Sequence, residues 1–144
     1  MAHGHGGGGG GHQVGRRLAA HHVGVLQLAE AGYVAPHWPA PWGLDADPIH
    51  QIIIDEELRR AGVRRPNNPI GIGWAGPTIL EAGTDAHKDD YLFGLLSGED
   101  TWCQLFSEPG AGSDLAALST RAVRDGDEWI VNGQKIWTSL AHHS

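Results

Sequence analysis

The chain has 144 residues, room for about one domain, and its 40% hydrophobic and 7% aromatic content can support a core. A mean hydropathy of −0.29 with no long apolar run excludes a membrane-spanning helix. A formal charge of −7 and a pI near 5.7 argue against a nucleic-acid partner, which needs clustered Lys and Arg, and a single cysteine, Cys103, excludes an intrachain disulfide and leaves the cytoplasm as the expected location.

Residues 1–12 read MAHGHGGGGGGH, a tract that cannot bury apolar surface and is expected to be disordered over 1–15. It lacks the apolar stretch of a secretory signal. A metal-binding tail through His3, His5 and His12 stands against a plain flexible leader, and without fixed ligand spacing no metal ligand is assigned. Arg17 to Ala31 is predicted as a helix, with Leu18, Val25, Leu28 and Ala29 on one face and Gly32 as its stop. His21 and His22 lie in it and are given no role. From Tyr33 to Asp47, Pro36, Pro39 and Pro41 alternate with His37, Trp38 and Trp42, which suits an ordered crossing loop.

Asp47 then supplies an N-cap and Pro48 a first helical position, and a helix is predicted over Ile49–Ala61 with Gly62 ending it. Ile49, Ile53, Ile54, Leu58 and Ala61 form its expected buried stripe, with Asp55–Arg59 and Glu56–Arg60 as solvated i,i+4 pairs. Glu56 and Glu57 point about 100° apart on a helix and do not make an acid–base pair. The next stretch, Gly71-Ile72-Gly73-Trp74-Ala75-Gly76, matches G-x-G-x-x-G in letters only. A dinucleotide turn needs a strand before it and an uninterrupted helix after it, whereas Pro66 and Pro69 precede this one and Pro77 follows it.

Thr84 or Asp85 can cap a helix to Ser97, with Tyr91, Leu92, Leu95 and Leu96 as its apolar face and Gly98 as its stop. From Trp102 the period changes to two, Trp102, Gln104 and Phe106 alternating with Cys103 and Leu105. Ala117–Arg124, Glu128–Asn132 and Gln134–Ser139 are then predicted as three strands of a meander, with turns at Asp125-Gly126-Asp127 and Asn132-Gly133. The fold class expected is α+β: a leader over 1–15, a helical domain over 16–100, and the first strands of a β-domain over 101–144.

Between the alternating stretch and the meander lies Ser107-Glu108-Pro109-Gly110-Ala111-Gly112-Ser113-Asp114. Its hydroxyls, and two glycines able to take positive φ and to let main-chain amides approach closely, suit a ligand loop better than a plain chain reversal. This stretch resembles the flavin loop of the acyl-CoA dehydrogenase family, and Asn132-Gly133-Gln134-Lys135-Ile136-Trp137-Thr138-Ser139 resembles the segment whose tryptophan lies against the flavin. The likeness runs back through Pro36 to Glu57, although Ala40-Pro41-Trp42-Gly43-Leu44 replaces a segment where a charged residue and a Gly-Gly pair are usual. It also places Gly71, Gly73 and Gly76 on a helix, as packing residues.

The resemblance implies α,β-dehydrogenation of an acyl-CoA thioester with FAD as cofactor. It implies FAD contacts from Gln104, Leu105, Phe106, Ser107, Gly112, Ser113, Trp137, Thr138 and Ser139, with Ser113 also reaching the acyl-CoA. An electron-transfer flavoprotein as acceptor and a homo- or hetero-oligomeric assembly are implied likewise. In the family the carboxylate base comes from a second helical bundle, so the chain is expected to be an N-terminal portion in which no base can be named. Nothing in the context of Glu81 or Glu108 recommends either. The alternative is a non-catalytic binding module with a vestigial flavin site.

Overall fold

The computed structural model describes residues 24–144. The leader histidines, together with Leu18, His21 and His22, lie outside that range. The chain divides after Asp100 into two compact units.

In the first unit, helix α1, described over 24–30, buries Val25, Leu28 and Ala29 as its spacing requires. It stops at Gly32, whose φ of 74° lets its N–H reach the Ala29 carbonyl while Tyr33 N–H reaches Leu28. The crossing loop that follows tucks Val34, Ala35 and Trp38 into the core. Helix α2 (Pro48–Arg60) begins where expected, with the Asp47 carboxylate accepting the N–H groups of Ile49 and His50, each at 2.9 Å. The His50 N–H, ahead of the other contacts, holds the Asp47 carboxyl below its ordinary range. Two expectations for α2 are corrected. Asp55 turns away from Arg59 to Arg65 (2.6 Å), which also donates from Nε to the Tyr33 carbonyl (2.8 Å) and ties the middle of α2 to the turn after α1. The isoleucine stripe is not buried: Ile49 is 70% and Ile53 52% exposed, because no described element packs over that face. The Glu56–Arg60 pair is present at 3.6 Å.

The glycine triplet lies on a helix. Asn68 starts it, its Oδ1 accepting Gly71 N–H while Nδ2 donates to the Leu95 and Asp100 carbonyls, so one buried amide joins this turn to the end of the next helix. A π-helical turn (Gly71–Ala75) is closed by Gly76 N–H on the Gly71 carbonyl and runs into α3 (Gly76–Ala82). The widening suits Pro77, which has no N–H to give and whose ring would crowd the carbonyl four residues back in a regular helix. A Cβ on Gly71 would sit 2.5 Å from the Asn68 amide and 2.6 Å from Leu95 Cδ2, and one on Gly76 would enter the Trp38 ring. The packing role therefore holds for Gly71 and Gly76. It fails for Gly73, which has open space around it. Helix α4 (Asp85–Ser97) is capped by Thr84 in a box with His87 and ends at Gly98 (φ 75°). Leu92, Leu95 and Leu96 are buried, but Tyr91 is 42% exposed.

The second unit holds one antiparallel hairpin, β1 (Arg121–Asp125) with β2 (Glu128–Asn132), in register from Arg121 opposite Asn132 to Asp125 opposite Glu128. Gly126, at φ 63°, makes the turn. The other two strand expectations are corrected, and the alternating stretch 102–106 has no ladder partner among the described residues. Residues 117–120 are not strand because Leu115–Ala117 form a 3-10 turn and the N–H groups of Ser119 and Thr120 go to the Glu108 carboxylate. Residues 134–139 are not strand either, since Trp137 takes a φ of 54° that no extended chain allows. Gly133 is not a turn residue. A Cβ there would strike the Thr120 side chain, 2.6 Å from its Cβ, so the glycine serves close approach. Among the described residues, no helix is long and apolar enough to cross a membrane.

Candidate functional site

The site is built around a residue that sequence reasoning set aside. Glu108, 3% exposed, opens a tight turn in which its N–H and carbonyl pair with those of Ala111 at 2.8 and 3.1 Å, Pro109 fixing φ at the second position. Its carboxylate accepts the Ser119 N–H and hydroxyl on Oε2, both at 2.7 Å, and the Thr120 N–H (3.0 Å) and Lys135 ammonium (2.9 Å) on Oε1. Lys135 Nζ also donates to the Phe106 carbonyl at 3.0 Å, and Ile136 N–H donates to the Ser107 carbonyl at 2.9 Å. The two motifs, far apart in sequence, are thereby bonded side by side. A glutamate inside a Ser/Gly loop and a lysine two residues before a tryptophan were the only sequence signals of this network, and neither named its partner.

Thr120, then the Ser119 amide, the Lys135 ammonium and the Ser119 hydroxyl, hold the Glu108 carboxyl well below the usual carboxylate range. A carboxylate so stabilised as the anion is a poor proton acceptor, which removes Glu108 as a catalytic base. Because the folded value lies below the ordinary 4.5, the ionised group adds stability above pH 4.5, and that stability is lost as pH falls below it. Glu108→Gln is therefore expected to melt below the parent chain at neutral pH, with the two melting temperatures converging in acid. A gap that stays constant with pH would show that the charge contributes nothing.

The remaining sequence-predicted residues differ in exposure. Leu105 and Phe106 are each 55% exposed and Trp137 is 84% exposed. Gln104, Ser107 and Thr138 are half-buried, and Ser113 and Ser139 are exposed. Only Phe106 and Ser107 are bonded directly to the second motif. No side-chain hydrogen bond engages the hydroxyls of Ser107, Ser113, Thr138 or Ser139 among the described residues. The expected positive φ at Gly110 and Gly112 is not found, since neither is left-handed. A Cβ at either would meet nothing within 4 Å, so nothing in the chain's own packing demands glycine there. Ala111 between them is buried. Glu81 is exposed at the end of α3, and no cluster of His, Cys, Asp or Glu among the described residues is arranged to hold a metal.

Residues 12–99 match the pattern described as "Acyl-CoA dehydrogenase, N-terminal domain", and 103–144 match its middle domain. The chain belongs to the acyl-CoA dehydrogenase family. Acyl-CoA dehydrogenase FadE34 of Mycobacterium tuberculosis is 56% identical over 117 residues, which is 81% of this chain and 16% of that protein. Acyl-CoA dehydrogenase IpdE1 of the same organism is 42% identical over 119 residues, 82% of this chain and 31% of its own length. Among solved structures, the ChsE4–ChsE5 complex of Mycobacterium tuberculosis matches with a TM-score of 0.66 at 38% identity, covering 90% of this chain and 34% of that one. The chain thus spans about a sixth to a third of the acyl-CoA dehydrogenases it resembles.

Proposed function

We propose that the chain carries the flavin-facing part of an FAD-dependent acyl-CoA dehydrogenase, with a helical domain over 16–100 and the opening of a β-domain over 101–144. The observation that carries this reading is the direct bonding of Phe106-Ser107-Glu108 to Lys135-Ile136, which sets the Ser/Gly loop and the Trp137 segment side by side. The residues fit the cofactor. Gly110 and Gly112 leave room over the loop, and Trp137 offers an uncovered ring from a left-handed backbone that a tryptophan adopts only under constraint.

FAD, when bound, would supply two-electron acceptor chemistry for forming an α,β double bond in an acyl-CoA thioester. In this reading Trp137 covers an apolar ring face. Ser107, Thr138 and Ser139 offer hydroxyls to its polar edge, joined by Gln104, Leu105, Phe106, Gly112 and Ser113, the last also reaching the acyl-CoA. An electron-transfer flavoprotein acceptor and an oligomeric assembly belong to the same proposal. The solved ChsE4–ChsE5 complex that the chain resembles favours an assembly of unlike chains.

Fluorescence titration of the chain with FAD is expected to give a dissociation constant in the micromolar range or weaker, since −8 kcal/mol corresponds to about 1 μM and only part of a site is present. Anaerobic mixing with acyl-CoA thioesters is expected to bleach no flavin, because no carboxylate here is set up as a base. A yellow complex that survives desalting would show this portion to suffice. Turnover that vanished in Glu81→Gln would identify a base.

A further inference from the structure

We propose that Lys135 and Glu108 are positioning residues, a strut that fixes the spacing and facing of the Ser107 loop and the Trp137 segment. As a claim about FAD, this rests on the flavin reading above. The two segments share no strand ladder, and Ile136 N–H to the Ser107 carbonyl is the one backbone bond recorded between them. Among the described residues the side-chain hydrogen bonds between them are those of Lys135, to the Phe106 carbonyl and to Glu108. A closed circuit results. Glu108 holds Ser119 and Thr120, Thr120 abuts Gly133 so closely that no side chain fits there, and Gly133 leads two residues later to Lys135, which returns to Glu108.

The pair is sheltered, with side-chain exposures of 20% for Lys135 and 2% for Glu108, so it is not a surface ion pair that water would screen. Trp137, by contrast, is 84% exposed and is not held by its own packing. What sets its direction is the backbone on either side, and the strut anchors that backbone two residues earlier.

The test is nuclear magnetic resonance on the 144-residue chain with Lys135→Met and Lys135→Arg. In Lys135→Met, amide exchange at Ile136 should rise about tenfold or more, and the Trp137 backbone signals should leave the left-handed range. Cross-strand contacts between Val123 and Ile130 should persist. Lys135→Arg should restore both signals. Unchanged Ile136 and Trp137 signals in Lys135→Met would overturn the proposal. So would loss of the hairpin together with Trp137, since the pair would then be a general stabiliser. Titrating the same samples with FAD separates this from the flavin reading. A parent chain that binds no FAD at any concentration counts against the flavin site and leaves the strut decided by resonance alone. Where FAD binds, Lys135→Met should weaken it about tenfold and Lys135→Arg should stay close to the parent.

Discussion

Gly76→Ala will lower the melting temperature of the chain, against the general rule that alanine in a helix improves on glycine by roughly 0.5–1 kcal/mol. The added methyl would lie within the Trp38 indole, against Cη2 and 2.5 Å from Cζ2. Trp38 is 2% exposed and cannot swing aside without displacing its buried neighbours. Overpacking of this kind costs about 1–3 kcal/mol, enough to outweigh the gain in propensity. Gly73→Ala is the internal control: it sits in the same helical stretch with nothing within 4 Å of its Cβ, so it should be neutral or slightly stabilising. Thermal melts of both variants decide the matter. Equal shifts would mean that Trp38 does not enforce the glycine, and a selective loss of FAD affinity in folded Gly76→Ala would revive the dinucleotide reading of the triplet.

Trp137→Ala is expected to behave in the opposite way, leaving the melt unchanged and weakening FAD. With the residue 84% exposed, its removal opens no cavity. Alanine should also relieve rather than add strain at a φ of 54°, where a bulky residue is the costlier occupant. Loss of an aromatic stacked on a planar ring costs about 1–3 kcal/mol of binding, and Ser107→Ala should cost about 1 kcal/mol for one hydrogen bond. Flavin fluorescence titration beside a thermal melt checks both. A lower melting temperature with unchanged FAD affinity would make Trp137 a packing residue and remove it from the site.

The sequence alone determined what is settled within one turn of chain. Asp47-Pro48 and Thr84 start helices, and Gly32, Gly62 and Gly98 end them at φ of 74°, 68° and 75°, because a cap needs only a side chain that reaches three residues ahead or a backbone free of a Cβ clash. Gly126 turned the hairpin for the same reason. The two stretches of the candidate site were also legible as stretches, through an order of hydroxyls, glycines and a tryptophan that no ordinary turn requires. Tertiary structure alone decided how they are joined. The residue pattern marked 117–120 and 134–139 as strands, but a strand exists only where a neighbour supplies the ladder. Here the neighbours were the Glu108 carboxylate, the Lys135 ammonium and the Ser107 carbonyl. The isoleucine face of α2 was likewise readable as a face, and its exposure was not, because period fixes which side of a helix is apolar while only a packed partner determines whether that side is dry. Glu108 shows the limit most clearly: its residue type allowed a base, a ligand or a strut, and the choice was made by donors 11, 12 and 27 residues away that only folding brings within 3.0 Å.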